Sequence, residues 1–185
     1  MKFTLVAALI CLAFVSVQQA GEKPASLQTV KHRITGLFST ERENDLREAV
    51  KKLPGITLAG IDFANAEATF TYDPAQAFPG VQPDKIVERF DHMLREVSRS
   101  TFGVKPPLTI PREKLTLIEI PVYTLDCKAC CFAVYGILTR IDGVEQATAS
   151  FKEHRATALI DPAKTSREAL LKALKERGVL LEFPK

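Results

Sequence analysis

The chain has 185 residues, 46% of them hydrophobic, with 25 Lys and Arg against 22 Asp and Glu and a formal net charge of +3. That balance belongs to globular proteins and excludes a disordered tail or a fibre. No basic run interleaved with aromatic residues occurs, so no nucleic-acid partner is expected.

Lys2 is followed by an apolar run of 15 residues, Phe3 to Val17. A membrane-spanning helix needs roughly 20 such residues, so a short run behind a positive start reads as a secretory signal peptide. The reading places it at 1–20, with cleavage after Ala20, and predicts a secreted or periplasmic mature chain. An uncleaved anchor is the alternative. No later stretch is long and apolar enough to span a bilayer. Cleavage would remove Cys11 and leave Cys127, Cys130 and Cys131. Three thiols crowded together do not make a disulfide framework and point to metal or thiol chemistry instead.

Residues 21–29 are polar and read as a flexible segment. In the first half the pattern then predicts a strand over Lys31 to Leu37, a helix over Arg42 to Leu53, strands over Ile56 to Phe63 and Glu67 to Tyr72, a helix over Asp84 to Val97, and a final strand after Phe102. Pro106, Pro107 and Pro111 lack backbone donors and mark a stiff linker over 105–114. In the second half, Leu115 to Val122 alternates as a strand. Cys130, Val134, Leu138 and Ile141 recur at helical spacing, predicting a helix from Lys128 to Ile141 that stops at Asp142-Gly143. Strands over Glu145 to Phe151 and Arg155 to Ile160 follow, joined at Lys152-Glu153-His154. Ser166 caps a helix with the stripe Ala169, Leu170, Ala173 and Leu174, ending at Gly178, and Val179 to Phe183 makes a last strand.

The two halves repeat. A gapless shift of 88 positions puts Gly55 on Gly143, Ala59 on Ala147, Phe63 on Phe151, Ala68 on Ala156, Thr69 on Thr157, Asp73 on Asp161 and Pro74 on Pro162. Ile34, Leu46, Val50, Leu53 and Ile56 fall on Val122, Val134, Leu138, Ile141 and Val144 in the same register. The chain therefore reads as a duplicated α+β unit, two tandem ferredoxin-like β-α-β-β-α-β sandwiches over 30–104 and 115–185.

Thr124-Leu125-Asp126-Cys127-Lys128-Ala129-Cys130-Cys131 lies where the first strand of the second unit turns into its first helix. Two thiols three residues apart at a helix start can converge on one ion, because the helical turn brings Cys130 back toward Cys127. The free N–H groups and positive dipole end there stabilise thiolates. Soft thiolates suit Cu(I), Zn(II) and similar ions.

On these residues the second half resembles the heavy-metal-associated domain family, the small module of copper chaperones, periplasmic mercury-binding proteins and the N-terminal arms of metal-exporting P-type ATPases. Leu125 stands in the place of that family's buried Met, Cys127 and Cys130 match its metal ligands, and Asp142-Gly143-Val144 matches its Gly-Val turn. Arg177-Gly178-Val179 departs from the family's usual Gly-Tyr or Lys. The resemblance implies one soft metal ion per chain, Cu(I) or Zn(II), captured and passed to a metal-transport protein or chaperone, with no enzymatic turnover.

Asp126 is a candidate third ligand, since zinc-, cadmium- and lead-exporting relatives carry Asp there, or else a helix cap. Cys131 reads as core, or as a further sulfur ligand. In the first half Ser39 and Arg42 stand where Cys127 and Cys130 stand. Arg cannot ligate a cation, so that unit resembles a degenerate copy. The rival function is a thiol-disulfide redox protein using the same pair. Against it, Lys128-Ala129 lacks the Pro and the preceding aromatic of thioredoxin-like sites.

Overall fold

The computed structural model describes residues 26–181. The expected signal peptide, 1–20, lies outside them, as do 21–25 of the polar segment and 182–185.

The first half runs β1 (Gln28–Thr35), α1 (Arg42–Val50), β2 (Ile56–Asp62), β3 (Glu67–Tyr72), the single turn α2 (Pro74–Ala77), α3 (Ile86–Val97) and β4 (Gly103–Lys105). Its antiparallel sheet has the order β2-β3-β1-β4. Alternation along β3 sends Ala68, Phe70 and Tyr72 to one face, where they meet Leu46 and Val50 of α1 and Phe90 and Leu94 of α3. Phe70 and Phe90 pack edge to face at 4.8 Å and 79°, the arrangement their ring quadrupoles favour.

The second half runs β5 (Thr116–Pro121), α4 (Lys128–Leu138), β6 (Val144–Ser150), β7 (Arg155–Ile160) and α5 (Arg167–Glu176). Among the described residues its sheet is β5-β7-β6, with α4 and α5 closing a core of Ile120, Leu125, Leu138, Ala156, Leu170 and Leu174. Both halves are α+β layers of the ferredoxin-like kind. The duplication is exact in the hairpins: β6 begins and ends 88 positions after β2, and β7 does so after β3. The repeated Asp-Pro also does the same work twice. Asp73 Oδ1 accepts from Ala75 N at 2.9 Å and Asp161 Oδ1 from Ala163 N at 3.0 Å, turning the chain out of the sheet.

Several boundaries differ from the sequence reading. Gln28 and Thr29 are not loose: they pair with Tyr72 and Thr71 as the start of β1. Lys105, assigned to the linker by its proline neighbours, closes β4 against Arg33. Both first helices stop early, α1 at Val50 and α4 at Leu138, because the chain tightens there to i−3 bonds, Leu53 N to Val50 O at 2.9 Å and Ile141 N to Leu138 O at 3.1 Å. Gly143 then reverses the chain at φ +85°, a backbone that glycine adopts without cost. The last strand is not formed over 179–181, where Tyr123 N donates to Leu180 O at 2.8 Å. Residues 182–183 of the expected strand lie outside the described residues.

The halves are joined through the loop after β1. Phe38 is 3% exposed and sits in the core of the second half, its ring 5.6 Å from Tyr135 and 5.9 Å from Phe132. The Phe38 carbonyl accepts from Ala149 N at 3.0 Å on the edge of β6. Around this plug, Arg33 pairs with Glu145 at 3.0 Å and Lys152 with Glu41 at 2.6 Å.

Candidate metal centre

Cys127 is extended, with φ −155° and ψ 167°, and is itself the cap of α4: its Sγ accepts the N–H of Cys130 at 3.4 Å. Its carbonyl takes the next donor, Cys131 N, at 3.0 Å. The cap turns Cys130 back, and the two sulfurs lie 2.9 Å apart. Beneath them Leu125 and Val122 are buried at 0% and 1% exposure, so the loop is nailed to the core while its tip faces solvent. Cys127 is exposed, Cys130 half-buried and Cys131 buried, and all three are free thiols.

Electrostatics separate the sulfurs. The Cys127 thiol is held below its ordinary value, first by the hydrogen bond with Cys130 Sγ and then by the Cys130 and Ala129 backbone N–H groups, with the Asp126 carboxylate opposing. Burial pushes the Cys131 thiol up, only partly offset by a backbone bond at Phe151. The exposed sulfur is therefore the easier of the two to ionise and the buried one the harder.

The structure brings Cys127 and Cys130 together and leaves the other candidates apart. Asp126 is exposed, and the helix cap ascribed to its carboxylate belongs to the Cys127 sulfur instead. Cys131 faces inward among Val134, Tyr135 and Leu138. Among the described residues no group of three or more His, Cys, Asp or Glu side chains is placed to hold a metal ion. His154 is exposed in the turn between β6 and β7, where its carbonyl accepts from Val122 N at 2.8 Å.

At the corresponding loop of the first half, a cation is already in place. The Arg42 guanidinium lies over Phe38 at 5.3 Å and over Phe102 at 5.1 Å, and pairs with Asp45 at 2.6 Å. The Ser39 hydroxyl is hydrogen-bonded to Glu41, whose carboxyl is held at about 2, chiefly by Lys152. Sequence reasoning missed Phe38 and Tyr135 as the joint between the halves. One signal was available: the 88-residue shift lays Phe38 on Asp126, an aromatic in a loop whose copy is polar.

The mercuric transport protein periplasmic component of Shewanella putrefaciens is 34% identical over 65 residues, covering 35% of this chain and 69% of that protein. The chain belongs to the heavy-metal-associated domain family. A copper-exporting P-type ATPase of Staphylococcus saprophyticus is 25% identical over 145 residues, which is 78% of this heavy-metal-associated chain but 16% of the ATPase. The chain thus spans less than a fifth of that relative's length. The solution structure of the N-terminal soluble domains of Bacillus subtilis CopA aligns with 85% of this chain and 94% of its own, at 19% identity. Its TM-score of 0.35 adds nothing to the fold, which the strand order carries. No protein-family model matches the chain.

Proposed function

We propose that this heavy-metal-associated protein is a carrier that captures one soft metal ion per chain between Cys127 and Cys130 and hands it to a metal-transport protein or chaperone. The observation that carries the reading is the pair of free sulfurs, 2.9 Å apart on an exposed helix-start loop. An exposed two-sulfur site can be entered by a partner's thiols, so the ion passes by ligand exchange with no need for turnover. Two soft donors without a third at hand among the described residues suit Cu(I), which accepts low coordination, better than Zn(II), which wants about four ligands. A zinc reading would rest on Asp126 alone. Export is supported by Lys2 and the apolar run behind it, and by likeness to a relative named as a periplasmic component.

Elemental analysis of anaerobically purified chain, followed by competition titration under reducing conditions, tests the reading. One copper per chain, lost on Cys127→Ser, is the expected result. Absence of any thiol-dependent metal would overturn it. The same short sulfur contact also favours a second reading, a thiol-disulfide redox protein. Insulin disulfide reduction by the metal-free chain, with no metal uptake, would select it.

A further inference from the structure

Between the halves, the end of β1 and the second half's α4 wall a cleft of about 310 Å³. Four cationic side chains line it, Arg33, Arg95, Lys105 and Arg140, against the single carboxylate of Glu145. Two of the four are already answered. Arg33 bonds the Glu145 carbonyl at 2.7 Å and its carboxylate at 3.0 Å. Arg95 Nε pairs with Asp91 at 2.7 Å. Lys105 and Arg140 form no ion pair among the described residues.

The wall also offers a directed donor. Tyr135 is 8% exposed, and its hydroxyl accepts from Gly36 N at 2.6 Å, which leaves its own proton unspent. Burial raises the Tyr135 phenol, and the Gly36 N–H and then the fields of Arg95 and Arg33 offset this only in part, so the group stays a donor at neutral pH. Two uncompensated positive charges and one free hydroxyl, in a space at the small end of the roughly 300–1,000 Å³ range of ligand pockets, define a ligand by charge and size.

We propose that this cleft binds a small dianion, of the phosphate or short dicarboxylate class, held between Lys105 of the first half and Arg140 and the Tyr135 hydroxyl of the second. The ligand bridges the halves, because β4 carries Lys105 and the turn after α4 carries Arg140. The site shares no residue with the Cys127–Cys130 loop, so it stands or falls separately from the metal reading.

The test is thermal denaturation and calorimetric titration of the full chain at low ionic strength with inorganic phosphate, with malonate, and with sodium chloride at matched ionic strength. Saturable stabilisation by phosphate or malonate but not chloride is expected, and which of the two binds tighter assigns the source of the dianion. Affinity should fall at least tenfold in Lys105→Ala/Arg140→Ala. It should hold within twofold in Lys172→Ala/Lys175→Ala, which removes the same charge from α5. An unchanged far-ultraviolet circular dichroism spectrum and cooperative unfolding in both variants report that they are folded. Stabilisation by chloride equal to that by phosphate and malonate, an equal loss in the two double variants, or no saturable binding would each overturn the proposal.

Discussion

The backbone N–H of Gly36 donates to the Tyr135 hydroxyl at 2.6 Å, tying the end of β1 to the middle of α4. Gly36 has φ +87°, and a Cβ there would lie 1.9 Å from the Thr101 carbonyl oxygen. Gly36→Ala is therefore expected to lose about 1–3 kcal/mol to backbone strain, and more to the clash. Tyr135→Phe keeps the ring packing but strands the Gly36 N–H, at a cost of about 1–3 kcal/mol. Urea unfolding of both variants measures this. Wild-type stability in Gly36→Ala would mean that the joint is not under the constraint described.

Metal uptake should follow Cys127 and Cys130 alone. Cys127→Ser and Cys130→Ser are each expected to abolish tight binding, and Ser39→Ala to change nothing. Cys131→Ala should keep the affinity, with a loss of about 1 kcal/mol or less in stability from the small void it leaves at a side chain 1% exposed. Two ions per chain, or full uptake by Cys130→Ser, would contradict the assignment.

Asp126 is exposed and does not cap α4. Asp126→Thr should therefore leave helix stability and Cu(I) affinity unchanged within about twofold. Competition titration with each ion under reducing conditions reads the outcome. A tenfold loss for Zn(II) alone, about 1.4 kcal/mol, would put the carboxylate among the ligands of that ion.

Acid should weaken the first half before the second. His32 on β1 is 4% exposed between Phe70 and Phe90, its ring centroid 6.1 Å and 5.7 Å from theirs, and neither ring nitrogen has a hydrogen-bond partner among the described residues. Burial holds its pKa below the ordinary 6.5. Below that value the unfolded chain takes up a proton that native His32 refuses. The stability contribution is thus whole above about pH 6.5 and falls as the pH drops toward the native pKa. His32→Leu is expected to flatten this slope and to stabilise the protein by about 1 kcal/mol at pH 7, since it removes two stranded polar atoms. Denaturation midpoints of both proteins between pH 7.5 and 5 check the sign. An unchanged slope in the variant would remove His32 as its source.

What the sequence made legible was local. Cys127 and Cys130 could be placed because their separation, the strand before them and the helix after them all lie within one short stretch of chain. The hairpins were readable because period-two alternation in β3 and β7 is copied at one fixed offset. Phe38 was not readable as an anchor, because its partners Phe132 and Tyr135 lie nearly a hundred residues away and their meeting depends on how two folded units are turned. Of the two roles open to Asp126, third ligand or helix cap, the cap falls to its neighbour, because the sulfur of an extended Cys127 reaches the donor first. Helix ends at Val50 and Leu138 were overrun because Leu53 and Ile141 continue the apolar rhythm after the hydrogen-bond pattern has changed.

The sulfur that closes the first turn of α4 is also the sulfur that faces outward for exchange. Under the proposed function, an ion bound at Cys127 would draw charge from the same sulfur that accepts the Cys130 N–H, so that hydrogen bond would report on loading. The Cys130 amide frequency becomes a gauge of cargo.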